Sequence, residues 1–129
     1  MKISNLTILA IESSCDDTGV AVLQGNKVLS NLVANQEIHA RYGGVVPELA
    51  SRAHLSNITP TVELAISDAG ISPNEIDAVA YTIGPGLSGS LLVGASFAKA
   101  WAWARRIPTV PVHHMRAHVL AHIISPGPP

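Results

Sequence analysis

TILAIESSCDDTGVAVLQGNKVLSNLVA, residues 7–34, is the stretch that decides the fold. Thr7–Ser13 is a short apolar run that reads as a buried strand. Cys15-Asp16-Asp17-Thr18-Gly19 is a polar turn. Val20–Gln24 is a second strand. Gly25-Asn26 is a two-residue hairpin signal, because both residues tolerate positive φ. Lys27–Ala34 is the third strand. The segment is therefore an antiparallel meander with an acidic first turn.

The rest of the chain changes period. Gly43-Gly44 breaks the pattern, and Pro47 suits the first turn of a helix. From Glu48 to Ala69 an apolar stripe of Leu49, Ala53, Ile58, Val62, Leu64, Ala65 and Ala69 argues for a helix. Pro60 should kink or divide it, and Gly70 should stop it. After a turn at Ser72-Pro73, Ile76–Ile83 reads as a buried strand. Leu87–Arg105 is a long Ala-rich helix, closed by Arg105 and Arg106 at its negative end. Thr109–Val112 is a short strand and His114–Ile124 a last helix. Residues 125–129, SPGPP, read as a linker or the start of a second domain. The order β-β-β-α-β-α-β-α predicts an α/β lobe with a mixed five-stranded sheet and flanking helices.

Composition agrees. A chain of 129 residues, 47% apolar and 13% charged, suits one modest core and is far from the composition of disordered chains. The formal net charge of -1 argues against a general polyanion binder, but the charge is unevenly spread. All the acidic residues lie between Glu12 and Asp77, whereas Ala78–Pro129 carries Lys99, Arg105, Arg106, Arg116 and several histidines. That asymmetry suits an anionic ligand or partner near the second half. Cys15 is the single cysteine, so a reducing compartment is the default. The run Leu6–Ile11 is too short for a signal peptide, and no stretch is long enough to span a membrane.

Four motifs offer chemistry. His114 and His118 lie four apart on the expected last helix, on one face with a rise of roughly 6 Å between them, so they can share a metal. His118 and His122 have the same spacing, and spacing alone leaves both registers open. Gly84, Gly86 and Gly89 match G-x-G-x-x-G between a strand and a helix. A dinucleotide site would need an acid about 20 residues on, and none exists. What remains is a turn presenting free N–H groups to an anion, or a tight turn whose glycines serve packing. Asp16 and Asp17 leave the first strand and can orient a cation, phosphate or nucleophile, or cap their own backbone. Gly43–His54 suggests a docking surface or ordinary helix packing.

Together the blocks IESSCDDTGVAV, HARYGGVVPELASRAH, YTIGPGLSGSLLVGA and VHHMRAHVLAH closely resemble the N-terminal part of the TsaD-type tRNA threonylcarbamoyladenosine synthase family, formerly called glycoprotease. The resemblance covers nearly the whole chain. It implies an actin-like ATPase fold with two ribonuclease-H-like lobes, residues 1–124 being the first. It implies transfer of threonylcarbamoyl from threonylcarbamoyl-adenylate to the exocyclic amine of the adenosine beside the anticodon, in tRNA decoding ANN codons. It implies His114 and His118 as ligands of one divalent metal, Fe²⁺ or Zn²⁺, with an Asp of the second lobe as third ligand. That choice settles the register left open by spacing. The adenine nucleotide would be held mainly by the second lobe, with a minor part for the Gly84–Gly89 turn.

The resemblance further implies that Asp16 and Asp17 face the reaction centre, Asp16 orienting or deprotonating the amine. Position 17 is often Glu in the family, and Arg116 stands where many members have Glu. The implied partners are a TsaB-type paralogue on helices within 47–69, a TsaE-type ATPase and a TsaC-type enzyme supplying the adenylate. A homodimer of the isolated lobe is a further expectation, and the implied location is the cytoplasm. Three competing readings keep parts of this pattern. A non-catalytic paralogous subunit has no need of HHMRAH, a sugar or acyl kinase does not explain it, and a metalloprotease lacks a Glu inside the histidine motif.

Overall fold

The computed structural model describes residues 5–15, 17–34 and 47–113. Five strands and two long helices follow in the order β1 (Thr7–Glu12), β2 (Thr18–Gln24), β3 (Lys27–Ala34), α1 (Pro47–Asp68), β4 (Ala78–Gly84), α2 (Ser88–Arg105) and β5 (Thr109–His113). They form one five-stranded sheet of order β3-β2-β1-β4-β5. β1, β2 and β3 pair antiparallel, and β4 joins β1 and β5 in parallel. The meander is as the sequence predicts. Gln24 pairs with Lys27 across Gly25-Asn26, and Gly25 takes φ 61°. Cys15–Gly19 is shorter as a turn than expected, because β2 already begins at Thr18. The expected last helix and the 125–129 linker lie outside the described residues.

Strand alternation places the core. Thr7, Leu9 and Ile11 of β1 are buried while Ile8, Ala10 and Glu12 are only partly covered, the period-2 signature of a sheet with one well-packed face. Leu9, Val20, Val22 and Val79 meet Ile58, Val62 and Ala65 of α1 and Ala98 and Ala102 of α2. α1 packs on β2 and β3, and α2 on β4 and β1. Asp77 clips the start of β4 to the start of β1, since its Oδ2 accepts from Thr7 N–H at 2.8 Å and its N–H donates to Thr7 O at 2.8 Å.

Pro60 does not divide α1, which runs unbroken from Pro47 to Asp68. Pro60 lies on the exposed side, so the carbonyl of Ser56, which loses its partner there, sits on the watery face. The opposite face carries Ala50, Ile58, Val62, Ala65 and Ile66, whose burial outweighs one lost hydrogen bond. Between α1 and β4, Ser72 and Glu75 close a short 3₁₀ turn by capping each other's backbone. α2 is capped by Arg106, whose left-handed φ of 58° turns the chain so that Ile107 N–H reaches back to Ala102 O at 3.0 Å.

α2 lies close to the sheet because its inward residues are small: Ser90, Gly94, Ala98 and Ala102, four apart. A Cβ on Gly94 would run into Ser13 Oγ and come within 3.6 Å of Ile11 Cγ2. Gly89 plays the same part against α1, where a Cβ would strike Ser51 Oγ.

Candidate functional site

β1, β4 and β5 run parallel, so their carboxyl ends lie side by side. In open α/β sheets this is the end where ligands bind. Two of the sequence motifs meet there, and the strand that precedes a third ends beside them. β1 ends at Glu12 and delivers the 13–17 turn. β4 ends at Gly84 and delivers Gly84-Pro85-Gly86. β5 ends at His113, paired with Gly84 and immediately before His114.

The first two turns are bonded together. Leu87 N–H donates to Ser14 O at 2.7 Å, and Ser13 Oγ donates to Ser90 O at 2.8 Å. Gly86 makes this approach possible, because a Cβ there would lie 2.7 Å from Ser14 Cβ and collide with Ser14 O. The Gly84–Pro85 peptide is cis and Gly84 has φ 149°, a region closed to most side chains. Two of the three glycines therefore serve packing, Gly86 against β1's exit and Gly89 against α1. The first turn of α2 points to the same end, and Leu87 offers it no side-chain cap.

Glu12 and His54 hold the acidic turn from beneath, and sequence reasoning assigned a role to neither. Glu12 accepts from Ser14 N–H through Oε1 at 2.6 Å and from the Thr82 hydroxyl through Oε2 at 2.7 Å. His54 is fully buried, with Nδ1 2.6 Å from Thr18 Oγ1 and Nε2 2.7 Å from Cys15 O. A signal for His54 existed. It stands in register with Ala50 and Ile58, a polar ring in the middle of an apolar stripe, and such a ring needs partners.

Asp17 is exposed, directly before β2. Asp16, His114, Arg116 and His118 lie outside the described residues. Among the described residues, no group of three or more His, Cys, Asp or Glu side chains stands together as a metal site.

The model of one family, tRNA N6-adenosine threonylcarbamoyltransferase (TsaD), matches residues 27–129. The chain belongs to this family. It is 56% identical over 125 residues to the tRNA N6-adenosine threonylcarbamoyltransferase of Christiangramia forsetii, covering 97% of this chain and 37% of that protein. The same-named protein of Riemerella anatipestifer is 58% identical over 125 residues, covering 95% and 37%. The chain thus spans little more than a third of the length of these relatives.

Among solved structures, YeaZ from Pseudomonas aeruginosa superposes with a TM-score of 0.65 at 24% identity, over 91% of this chain and 50% of YeaZ. Thermus thermophilus RuvC, solved with a Holliday junction substrate, gives 0.53 at 12% identity, over 90% and 70%. At such identities these likenesses concern the fold. They bear out the expected α/β lobe with its mixed five-stranded sheet and flanking helices.

Proposed function

We propose that this chain is the N-terminal lobe of an enzyme that transfers threonylcarbamoyl from threonylcarbamoyl-adenylate to the exocyclic amine of the adenosine beside the tRNA anticodon. Membership of the transferase family carries this reading. The meeting of the acidic turn, the glycine turn and the exit of β5 at one sheet end supports it. YeaZ is a TsaB-type protein, and its likeness in fold would suit a non-catalytic paralogue equally. The sequence relatives are transferases at 56–58% identity, which favours the catalytic member.

In the reaction the amine nitrogen attacks the threonylcarbamoyl carbonyl carbon. A new C–N bond forms, the carbonyl C–O bond to the adenylate phosphate breaks, AMP leaves, and the amine loses a proton. Asp16 would orient the amine and receive that proton, and Asp17 would set the local charge. A side chain so placed contributes through position and proton transfer. The α2 N-terminus beside Gly86 would favour a negative group at this end, such as the substrate's phosphate or carboxylate. The larger part of the adenylate would be held by a second lobe beyond this chain.

His114 and His118 would hold one divalent metal, Fe²⁺ or Zn²⁺, completed by an Asp from that second lobe. Imidazole suits either ion, and β5 ends at His113, directly before the pair in sequence. When bound, the metal supplies a Lewis acid at the reacting group.

A TsaB-type partner would dock on the outer faces of α1 and α2. Leu55, Leu64, Leu92 and Trp103 are exposed there, and a groove of about 600 Å³ opens between the helices beside Val62, Phe97 and Trp101. Exposed apolar area of this kind marks an interaction surface. A TsaE-type ATPase and a TsaC-type supplier of the adenylate would complete the system, in the cytoplasm. Deleting the gene and measuring threonylcarbamoyladenosine in bulk tRNA tests the reading. The nucleoside should disappear, and an unchanged level rejects the transferase.

A further inference from the structure

His54 touches the chain on both sides of the acidic pair. Its Nε2 bonds Cys15 O at 2.7 Å and its Nδ1 bonds Thr18 Oγ1 at 2.6 Å. Cys15 directly precedes Asp16, and Thr18 directly follows Asp17. One ring therefore ties down both ends of a two-residue span.

The proton positions follow from the partners. A carbonyl has no hydrogen to give, so Nε2 carries the proton and donates to Cys15 O. In the neutral ring Nδ1 then accepts from the Thr18 hydroxyl. Both nitrogens and the hydroxyl are satisfied, and the ring is wholly buried.

His54 occupies a position in an apolar stripe, in register with Ala50 and Ile58. The upstream half of the turn is tied to α2, through Ser13 Oγ to Ser90 O and Leu87 N–H to Ser14 O. What His54 adds is a hold on the Cys15 carbonyl and on Thr18.

The geometry points to His54 as a positioning residue for the acidic pair, anchoring the two residues that flank it in sequence, Cys15 and Thr18. It acts through Cys15 and Thr18 and does not itself touch substrate. This inference rests on the reading above that the acidic pair serves the transfer reaction. A displacement of about 1 Å at such a pair is enough to cost up to about a hundredfold in rate.

The test uses the complete protein with its partner subunits, threonylcarbamoyl-adenylate and tRNA. His54→Leu should lower kcat by about tenfold or more while KM for tRNA stays within about twofold. His54→Gln keeps one donor and one acceptor and should restore part of kcat. Thr18→Val keeps the buried volume, removes one arm, and should also lower kcat. Should His54→Leu not fold, as judged by circular dichroism, Thr18→Val decides: an unchanged kcat overturns the inference. A folded His54→Leu with wild-type kcat, or His54→Gln no better than His54→Leu, overturns it too. Asp16→Asn and Asp17→Asn run in parallel. If these lower kcat and His54→Leu does not, the clamp alone falls. If neither Asp variant changes kcat, the acidic-pair reading falls and the clamp with it. Imidazole ¹⁵N shifts give an independent signature: wild type should show the Nε2–H tautomer, and Thr18→Val should shift the Nδ1 signal.

Discussion

Glu12 and Thr82 lie 70 positions apart in sequence and are joined by a 2.7 Å hydrogen bond, from the Thr82 hydroxyl to Glu12 Oε2. Glu12 Oε1 takes the N–H of Ser14 at 2.6 Å. One carboxylate thus links the end of β1, the end of β4 and the first peptide of the acidic turn.

Glu12→Gln replaces one of these acceptors by an NH₂ group, which then faces a donor. Leaving a part-buried donor without its acceptor costs about 1–3 kcal/mol. Thermal unfolding should show a fall in Tm of several degrees. An unchanged Tm would mean that the carboxylate is not needed as a double acceptor.

Gly86→Ala and Gly70→Ala separate two reasons for a glycine. At Gly86 the added methyl would meet Ser14 Cβ at 2.7 Å and Cα at 2.9 Å, so the two turns must part. Overpacking of this kind costs about 1–3 kcal/mol. Transfer activity of the complete protein should fall by more than the stability loss explains, because the acidic turn moves. At Gly70 nothing lies within 4 Å, and the difficulty is φ +72°. That change should cost about 1 kcal/mol and leave kcat alone. Equal effects on kcat at both positions would refute this distinction.

Pro60→Ala should stabilise the chain. It restores an N–H for Ser56 O and removes a ring from the interior of α1, where proline costs about 3 kcal/mol relative to alanine. The unfolded state regains about 0.4–1 kcal/mol of entropy in return. A net gain of about 2–2.6 kcal/mol is expected, visible as a higher urea midpoint with unchanged slope. A lower midpoint would show that Pro60 does more than interrupt the ladder.

His114→Ala should weaken binding of Zn²⁺ or Fe²⁺ to this chain. Loss even of an outer-sphere partner typically costs roughly 10–100-fold in affinity, and loss of a direct ligand should cost at least as much. Titration calorimetry on wild type and variant measures it. Equal binding by both would remove His114 from the ligand set.

Much of the fold was legible because its signals are local. Alternating burial along residues 7–34, the Gly25-Asn26 hairpin and the small residues of α2 each follow from neighbours a few positions away. The division of α1 at Pro60 that local signals allow does not occur, for the same reason. Local physics sees a lost N–H and a clash, and does not weigh the buried stripe on the far side of α1. The site was half legible. Gly84 ends β4, Gly86 follows it, Gly89 lies in the first turn of α2, and Asp17 stands directly before β2. Glu12 and His54 were passed over, because a lone Glu at a strand end and a lone His on a helix have no local pattern that names their partners.

The sequence by itself determined the order of elements, the antiparallel meander, the family and the candidate chemistry, since period, turn residues and ordered motifs are properties of short segments. Only the tertiary structure decided that β4 lies beside β1, that Gly86 is pressed on Ser14, and that His54 brackets the acidic pair. Those contacts join residues 36 to 72 positions apart. They exist because two helices must bury their stripes against a mixed sheet, and no single segment carries that condition.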